Sequence, residues 1–148
     1  MTTAFIDFPA QQQAKQQIAE NVVKWTQMLI EALKQNYVEY SIRGHQRSAI
    51  ACGESVDYHQ RCIDKLKSGI CPIDYQVETG KKYHKVIFVD GGGSRSVHCF
   101  IDKNTGEVYK SATWKSPAKG VRYDLRVIAE RENILQNCDW AGGYLYAR

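Results

Sequence analysis

Residues 73–90 read IDYQVETGKKYHKVIFVD. From Asp74 onward apolar and polar side chains alternate, the period of a strand with one face buried. The run divides into two strands at Glu78–Lys81, where Gly80 is expected to supply the positive φ of a tight turn. Immediately after it, DGGGS (90–94) predicts a second turn, and RSVHCFID (95–102) a third strand with Val97, Cys99 and Ile101 on one face. DKNTG (102–106) has the Asp, Asn and Gly that turns favour for their local hydrogen bonds and positive φ, and Glu107–Lys110 makes a fourth strand. Four strands joined in order by short turns form an antiparallel meander, whose apolar face must be covered.

The cover lies upstream. Ile18, Val22, Trp25, Leu29 and Leu33 line one face of an α-helix, which is expected to start near Pro9 and end at Gln35 or Asn36. Gln16, Glu20, Lys24, Gln27, Glu31 and Lys34 make its solvated side. A second helix is predicted over Ser55–Ser68, with Ser55 as N-cap, Gly69 as the stop and His59, Cys62, Ile63 and Leu66 facing inward. The link Tyr37–Gly53 mixes apolar and basic residues and reads as mostly irregular. Beyond Pro117, the residues Val121, Leu125, Ile128, Ala129 and Leu135 suggest a last helix, broken near its start. The closing CDWAGGYLYAR is too apolar to fray and is expected to dock. The expectation is one α+β domain over 1–148: mainly helical in 1–73, an antiparallel sheet in 74–112, then a basic loop, a helix and a docked aromatic tail in 113–148.

Composition narrows the class. With 148 residues, 43% hydrophobic and 24% charged, the chain can bury a core without disulfides or metal. No stretch approaches the roughly 18 apolar residues of a membrane span. MTTAFIDFPAQQQAKQQ lacks the basic and apolar regions of a cleaved leader, which predicts a protein that stays where it is made. Cys52, Cys62, Cys71, Cys99 and Cys138, odd in number and irregular in spacing, read as reduced thiols. His45, His59, His84 and His98 accompany them, yet no Cys-x-x-Cys knuckle is present, so neither a structural metal nor a cofactor is expected.

The charge is concentrated. Residues 81–126 carry ten basic and four acidic side chains, while the segments on either side are each slightly acidic. Within that segment, KSATWKSPAKGVRYDLR interleaves Lys110, Lys115, Lys119, Arg122 and Arg126 with Trp114 and Tyr123. Spaced cations neutralise successive phosphates, and an aromatic face stacks on an unpaired base. These seven residues are the candidate nucleic-acid-binding set, set against the plainer reading of a solvated basic edge with Trp114 in the core.

Other constellations are weaker. Asp90-Gly91-Gly92-Gly93-Ser94-Arg95 offers backbone N–H groups to a phosphate, but lacks the lysine and following helix of a P-loop, so a hairpin turn is preferred. His98 beside Cys99 in a strand should point to the opposite face, and His59 with Cys62 has no orienting acid, which argues against thiol catalysis. Asp90, Asp102 and Glu107 lie on or near adjacent strands, as a magnesium-dependent nuclease would need, but each sits at a turn where such residues serve locally.

SVHCFIDKNTGEVYKSATWKSPAKGVRYDL (96–125), preceded by G-K-K-Y-x-K-V and followed by D-W-A-G-G-Y-L-Y, resembles a family of small uncharacterised proteins of tailed bacteriophages, including marine and cyanobacterial phages. The likeness covers about residues 74–148. It implies a phage origin and expression in the cytoplasm of a bacterial host, and carries over no catalytic residue. The expectation is therefore a non-enzymatic phage accessory protein that binds nucleic acid through the basic segment. Second in rank is a modulator of a host protein anchored by Trp114, Tyr123 and Trp140; a metal-dependent nuclease is a distant third.

Overall fold

The computed structural model describes residues 3–52 and 56–146, with side chains from residue 8 onward and excepting that of Cys52. Helix α1 spans Thr3–Cys52, α2 Val56–Lys67 and α3 Ile128–Asn137, and a short 3-10 turn follows at Gly143–Leu145. The strands are β1 Asp74–Thr79, β2 Tyr83–Val89, β3 Arg95–Asp102, β4 Glu107–Lys110 and β5 Tyr123–Asp124. They form one antiparallel sheet in the order β1-β2-β3-β4-β5.

The meander therefore has five strands rather than four. Tyr123 pairs with Val108 and Asp124 with Glu107, so these two residues extend the sheet where the start of a helix was expected. Val121 and Leu125 share the four-residue spacing of a helix, but Leu125 is buried in the core and Val121 is exposed. One apolar stripe does not separate those two outcomes in so short a segment.

Helix α1 covers one face of the sheet. Val22, Leu29, Ile30 and Leu33 pack in one cluster with Tyr75, Val86, Cys99, Ile101, Val108 and Tyr123. Each aliphatic side chain buried this way contributes about 1.5–3 kcal/mol relative to leaving it in water. Ile18 and Trp25, from the predicted stripe, flank the cluster. Lys34, expected on the solvated side, pairs with Asp74 of β1 at 3.0 Å, and this pairing holds the Asp74 carboxyl below its usual range.

At both ends α1 is longer than its aliphatic stripe. Pro9 stands inside the helix rather than at its first turn, and its ring is exposed. Residues 37–52 continue the helix where an irregular link was expected. Tyr37, Ser41 and His45, half-buried at helical spacing, share a cleft with Tyr58, Cys62 and Leu66 of α2, a contact that carries no aliphatic side chain from α1. The two helices meet through His45 Nδ1 and His59 Nδ1, 2.8 Å apart, with Ile63 and Leu66 of α2 buried beneath. Ser55, the expected N-cap of α2, lies outside the described residues; Gly69, at φ +95°, ends the helix as expected.

Turn chemistry follows the sequence except at Gly80, which does not adopt a positive φ; that role falls to Gly93 and Gly106 in the next two turns. The tail docks. Leu145 is buried, the Trp140 N–H donates to Asn36 Oδ1 of α1 at 3.0 Å, and the Trp140 ring packs on Tyr37, Tyr40 and Phe88. Among the described residues, no helix is long and apolar enough to cross a membrane.

Candidate nucleic-acid interface

Alternation along β2 and β3 sends Tyr83, Lys85 and Ile87, with Phe100, to the face away from α1, outside the main core cluster. Cross-strand pairing then builds a ring cluster. Phe100 faces Tyr109 in register, and Tyr83 meets Phe100 and Tyr109 edge-on at 5.7 and 5.8 Å. Edge-to-face packing of this kind contributes about 0.5–1.5 kcal/mol per pair beyond the area it buries.

Lysines surround the rings. Lys82 lies 5.4 Å from the Tyr83 centroid and Lys85 5.9 Å from that of Phe100. The Tyr83 hydroxyl beside Lys82 holds that ammonium above the ordinary lysine pKa. The 111–117 loop, closed by a bridge between Ser111 and Pro117 and by Thr113 Oγ1 accepting from the Lys115 and Ser116 N–H groups, folds back over this face. It lays the Trp114 ring between Lys85 at 4.7 Å and Arg95 at 5.5 Å, with 41% of the residue exposed. Lys81, Lys82, Lys85 and Lys115 line a groove of about 310 Å³ floored by Tyr83 and Phe100. The acid in its lining, Glu78, is paired with Arg95 at 2.8 Å.

The structure divides the seven residues singled out in the sequence. Trp114 and Lys115 lie on the basic outer face. Lys119 is exposed on the following loop, its carbonyl accepting from Arg122. Lys110 sits elsewhere, 4.8 Å from the Tyr146 ring. Arg122 is a tail clamp: its Nε donates to the Leu145 carbonyl at 2.7 Å and its Nη1 to those of Lys119 and Gly120. Tyr123 is buried and donates to the Tyr144 carbonyl at 3.1 Å. Arg126 is paired with Asp124 at 2.9 Å. Of the aromatics proposed as protein anchors, Tyr123 and Trp140 are thus engaged within the fold. Lys81, Lys82, Lys85 and Arg95 complete the outer face; the excess of cations from residue 81 onward signals them, but only strand register brings them together with Trp114.

The weaker constellations resolve locally. Asp90 Oδ1 accepts from the Gly92 and Ser94 N–H groups at 2.9 Å each and its carbonyl from that of Gly93, so these three amides are consumed by their own turn rather than offered to a phosphate. Asp102 Oδ1 does the same for Asn104 and Thr105. The two aspartates stand at opposite ends of the β2–β3 ladder, roughly 20 Å apart at the rise of a strand, too far to share a metal. Among the described residues no group of three or more His, Cys, Asp or Glu is placed to hold one.

His98 departs from strand alternation. Val86 pairs with Cys99 and Ile87 with Val97, which leaves His98 as the extra residue of a β-bulge. The bulge turns it towards the helix-covered side, edge-on to Tyr75 at 5.6 Å, so His98 and Cys99 do not face opposite ways as an unbroken strand would place them. Burial drives the Cys99 thiol far above the range in which a thiolate forms. His59, for its part, uses Nδ1 on His45.

No curated protein and no solved structure matches the chain. A family does match, and its extent takes in α1 and α2 as well as the sheet, including the helical half that the phage likeness leaves out. Over residues 5–147 the chain belongs to the family of unknown function DUF7717.

Proposed function

We propose that the protein binds single-stranded nucleic acid, without catalysis, across the basic outer face of its sheet. The observation that carries this reading is the gathering of Lys81, Lys82, Lys85 and Lys115 around Tyr83 and Phe100, with Trp114 above them and the nearby acid already paired. Lysines on a sheet neutralise phosphates as point charges, and a partly exposed indole offers a stacking surface to any base, so the expected binding tolerates sequence and depends on salt. In keeping with the likeness of residues 74–148 to small tailed-phage proteins, the proposed setting is the cytoplasm of an infected bacterium.

The test is anisotropy of labelled single-stranded DNA and RNA over a salt series. Binding should weaken steeply with salt, and Lys82→Ala with Lys115→Ala should flatten the slope of log K against log salt by about 0.7 for each phosphate contact removed. Absence of binding at low salt, or a slope unmoved by the pair of substitutions, overturns the proposal. In that case a protein partner seated on Trp114 becomes the leading reading.

A further inference from the structure

A second cavity lies at the other end of the sheet, away from the basic face. It encloses about 370 Å³ between β2, β3, the start of the 111–117 loop and the tail, within the roughly 300–1,000 Å³ typical of small-molecule sites. Three aromatic side chains, Phe88, Trp140 and Tyr146, contribute to its wall. Phe88 and Trp140 lie 6.1 Å apart at only 31° between planes, close to the parallel arrangement that leaves flat surfaces for a flat guest.

Two basic side chains face this space. Lys110 lines it with its ammonium 4.8 Å from the Tyr146 ring, and no carboxylate is paired with it among the described residues. His98, more than nine-tenths buried, uses Nε2 on the Tyr144 hydroxyl at 2.7 Å. No hydrogen bond to its Nδ1 is made among the described residues, while the residue lines the cavity. Burial holds the imidazole neutral, its pKa lowered to about 4, so Nδ1 either donates or accepts one bond and adds no charge. Asp139, the nearby acid, is engaged by the N–H groups of Gly143 and Tyr144. Ser96 and Ser111 add hydroxyls to the lining, that of Ser111 donating to the Val97 carbonyl at 3.4 Å and so left to a ligand as an acceptor.

We infer that this cavity is a binding site for a planar heteroaromatic anion of the class of a nucleoside 5′-monophosphate, its ring against Phe88 and Trp140 and its anionic group on Lys110. His98 Nδ1 meets a heteroatom on the ring edge, and the serines meet the sugar. Each feature selects part of the ligand: the aromatic wall rejects a ligand without a ring, and Lys110 favours one with a negative charge.

Calorimetry with 5′-AMP and 5′-UMP, alongside NMR of the three tryptophan indole N–H signals, tests the site. Saturable binding with the Trp140 signal shifted is expected, with adenosine and ribose 5-phosphate each clearly weaker. Lys110→Gln should lower the affinity for 5′-AMP about tenfold, the loss of one charge-assisted contact, and leave adenosine unchanged. Ser96→Trp, at an exposed strand position, should block the cavity without touching the core. Failure of both nucleotides to bind overturns the inference, as does ribose 5-phosphate or adenosine binding as well as 5′-AMP, or an affinity indifferent to Lys110→Gln and Ser96→Trp.

Discussion

The Tyr144 hydroxyl lies 2.7 Å from Nε2 of His98, joining the tail to the β3 bulge across 46 positions of sequence. Tyr144 is itself half-buried against the core cluster, so the contact seals an imidazole that water would otherwise protonate near neutrality.

Stability should therefore depend on pH in a defined window. Burial lowers the His98 pKa from 6.5 to about 4, so the folded state prefers the neutral ring. This contribution is complete above the unfolded value of about 6.5 and is lost as pH falls towards 4, to a total of about 3 kcal/mol. Denaturant titrations from pH 4 to 7 should show that slope. His98→Gln, which keeps a hydrogen-bonding side chain but cannot titrate, should remove most of it. The remainder belongs to His84, lowered in the same direction by burial, and, towards pH 4, to Asp74 and Asp124, whose carboxyls Lys34 and Arg126 hold below their usual range.

Arg122 and Lys115 separate clamp from surface. Arg122→Ala removes the donor to the Leu145 carbonyl and should cost about 1–3 kcal/mol of stability, with faster amide exchange over residues 143–145. Lys115→Ala, at an exposed loop position, should change stability by less than about 0.5 kcal/mol while weakening polyanion binding. Equal loss of stability in the two variants would contradict the assignment of Arg122 to the tail.

Two tryptophans should behave oppositely. Trp140→Ala, which deletes the ring packed on Tyr37, Tyr40 and Phe88, should cost about 3 kcal/mol and lower the melting temperature by several degrees. Trp114→Ala, removing a residue 41% exposed, should cost no more than about 1 kcal/mol, the scale of the cation–π contacts it loses. It should also weaken single-strand binding by about 1–3 kcal/mol.

Two glycines make a further pair. Gly44 lies within α1, with nothing inside 4 Å of an added Cβ, so Gly44→Ala should stabilise by about 0.5–1 kcal/mol. Gly106 has φ +80°, and its added Cβ would meet Leu125 at 3.3 Å and Val22 at 3.4 Å. Gly106→Ala should destabilise by about 1–3 kcal/mol, as read by calorimetry.

The parts legible in the sequence were those whose signals are local. The alternation in β2, the turns built on Asp and Gly, and the Ile18–Leu33 stripe each state their structure within a few residues; in β3 the bulge at His98 sets Val97 opposite Ile87, off the face that Cys99 and Ile101 share. Residues 37–52 were not legible, because the helix there meets its partner through Tyr37, Ser41 and His45, which carry no aliphatic period. β5 was missed because two residues cannot display a period at all. Of the candidate site, the density of cations was visible, but Arg122 and Tyr123 look like surface residues until the tail is placed on them. The grouping of Lys82 and Lys85 with Trp114 depends on strand register and on the fold-back of the 111–117 loop, which a linear reading does not contain.

The order of the strands bears on how the chain acquires its shape. Every strand pairs with its neighbour in sequence, so the sheet can zip one hairpin at a time with little loop-closure entropy at each step, a low-contact-order route of the kind that folds quickly. The bond from the Trp140 N–H to Asn36 is of another sort, closing a span of 104 residues. Its partner residues leave the ribosome 104 residues apart, so a nascent chain can hold a formed sheet while the wall containing Phe88 and His98 still lacks Trp140 and Tyr146. Docking of the tail then follows formation of the sheet, and the 370 Å³ cavity, walled in part by Trp140 and Tyr146, is complete only once translation has passed Tyr146.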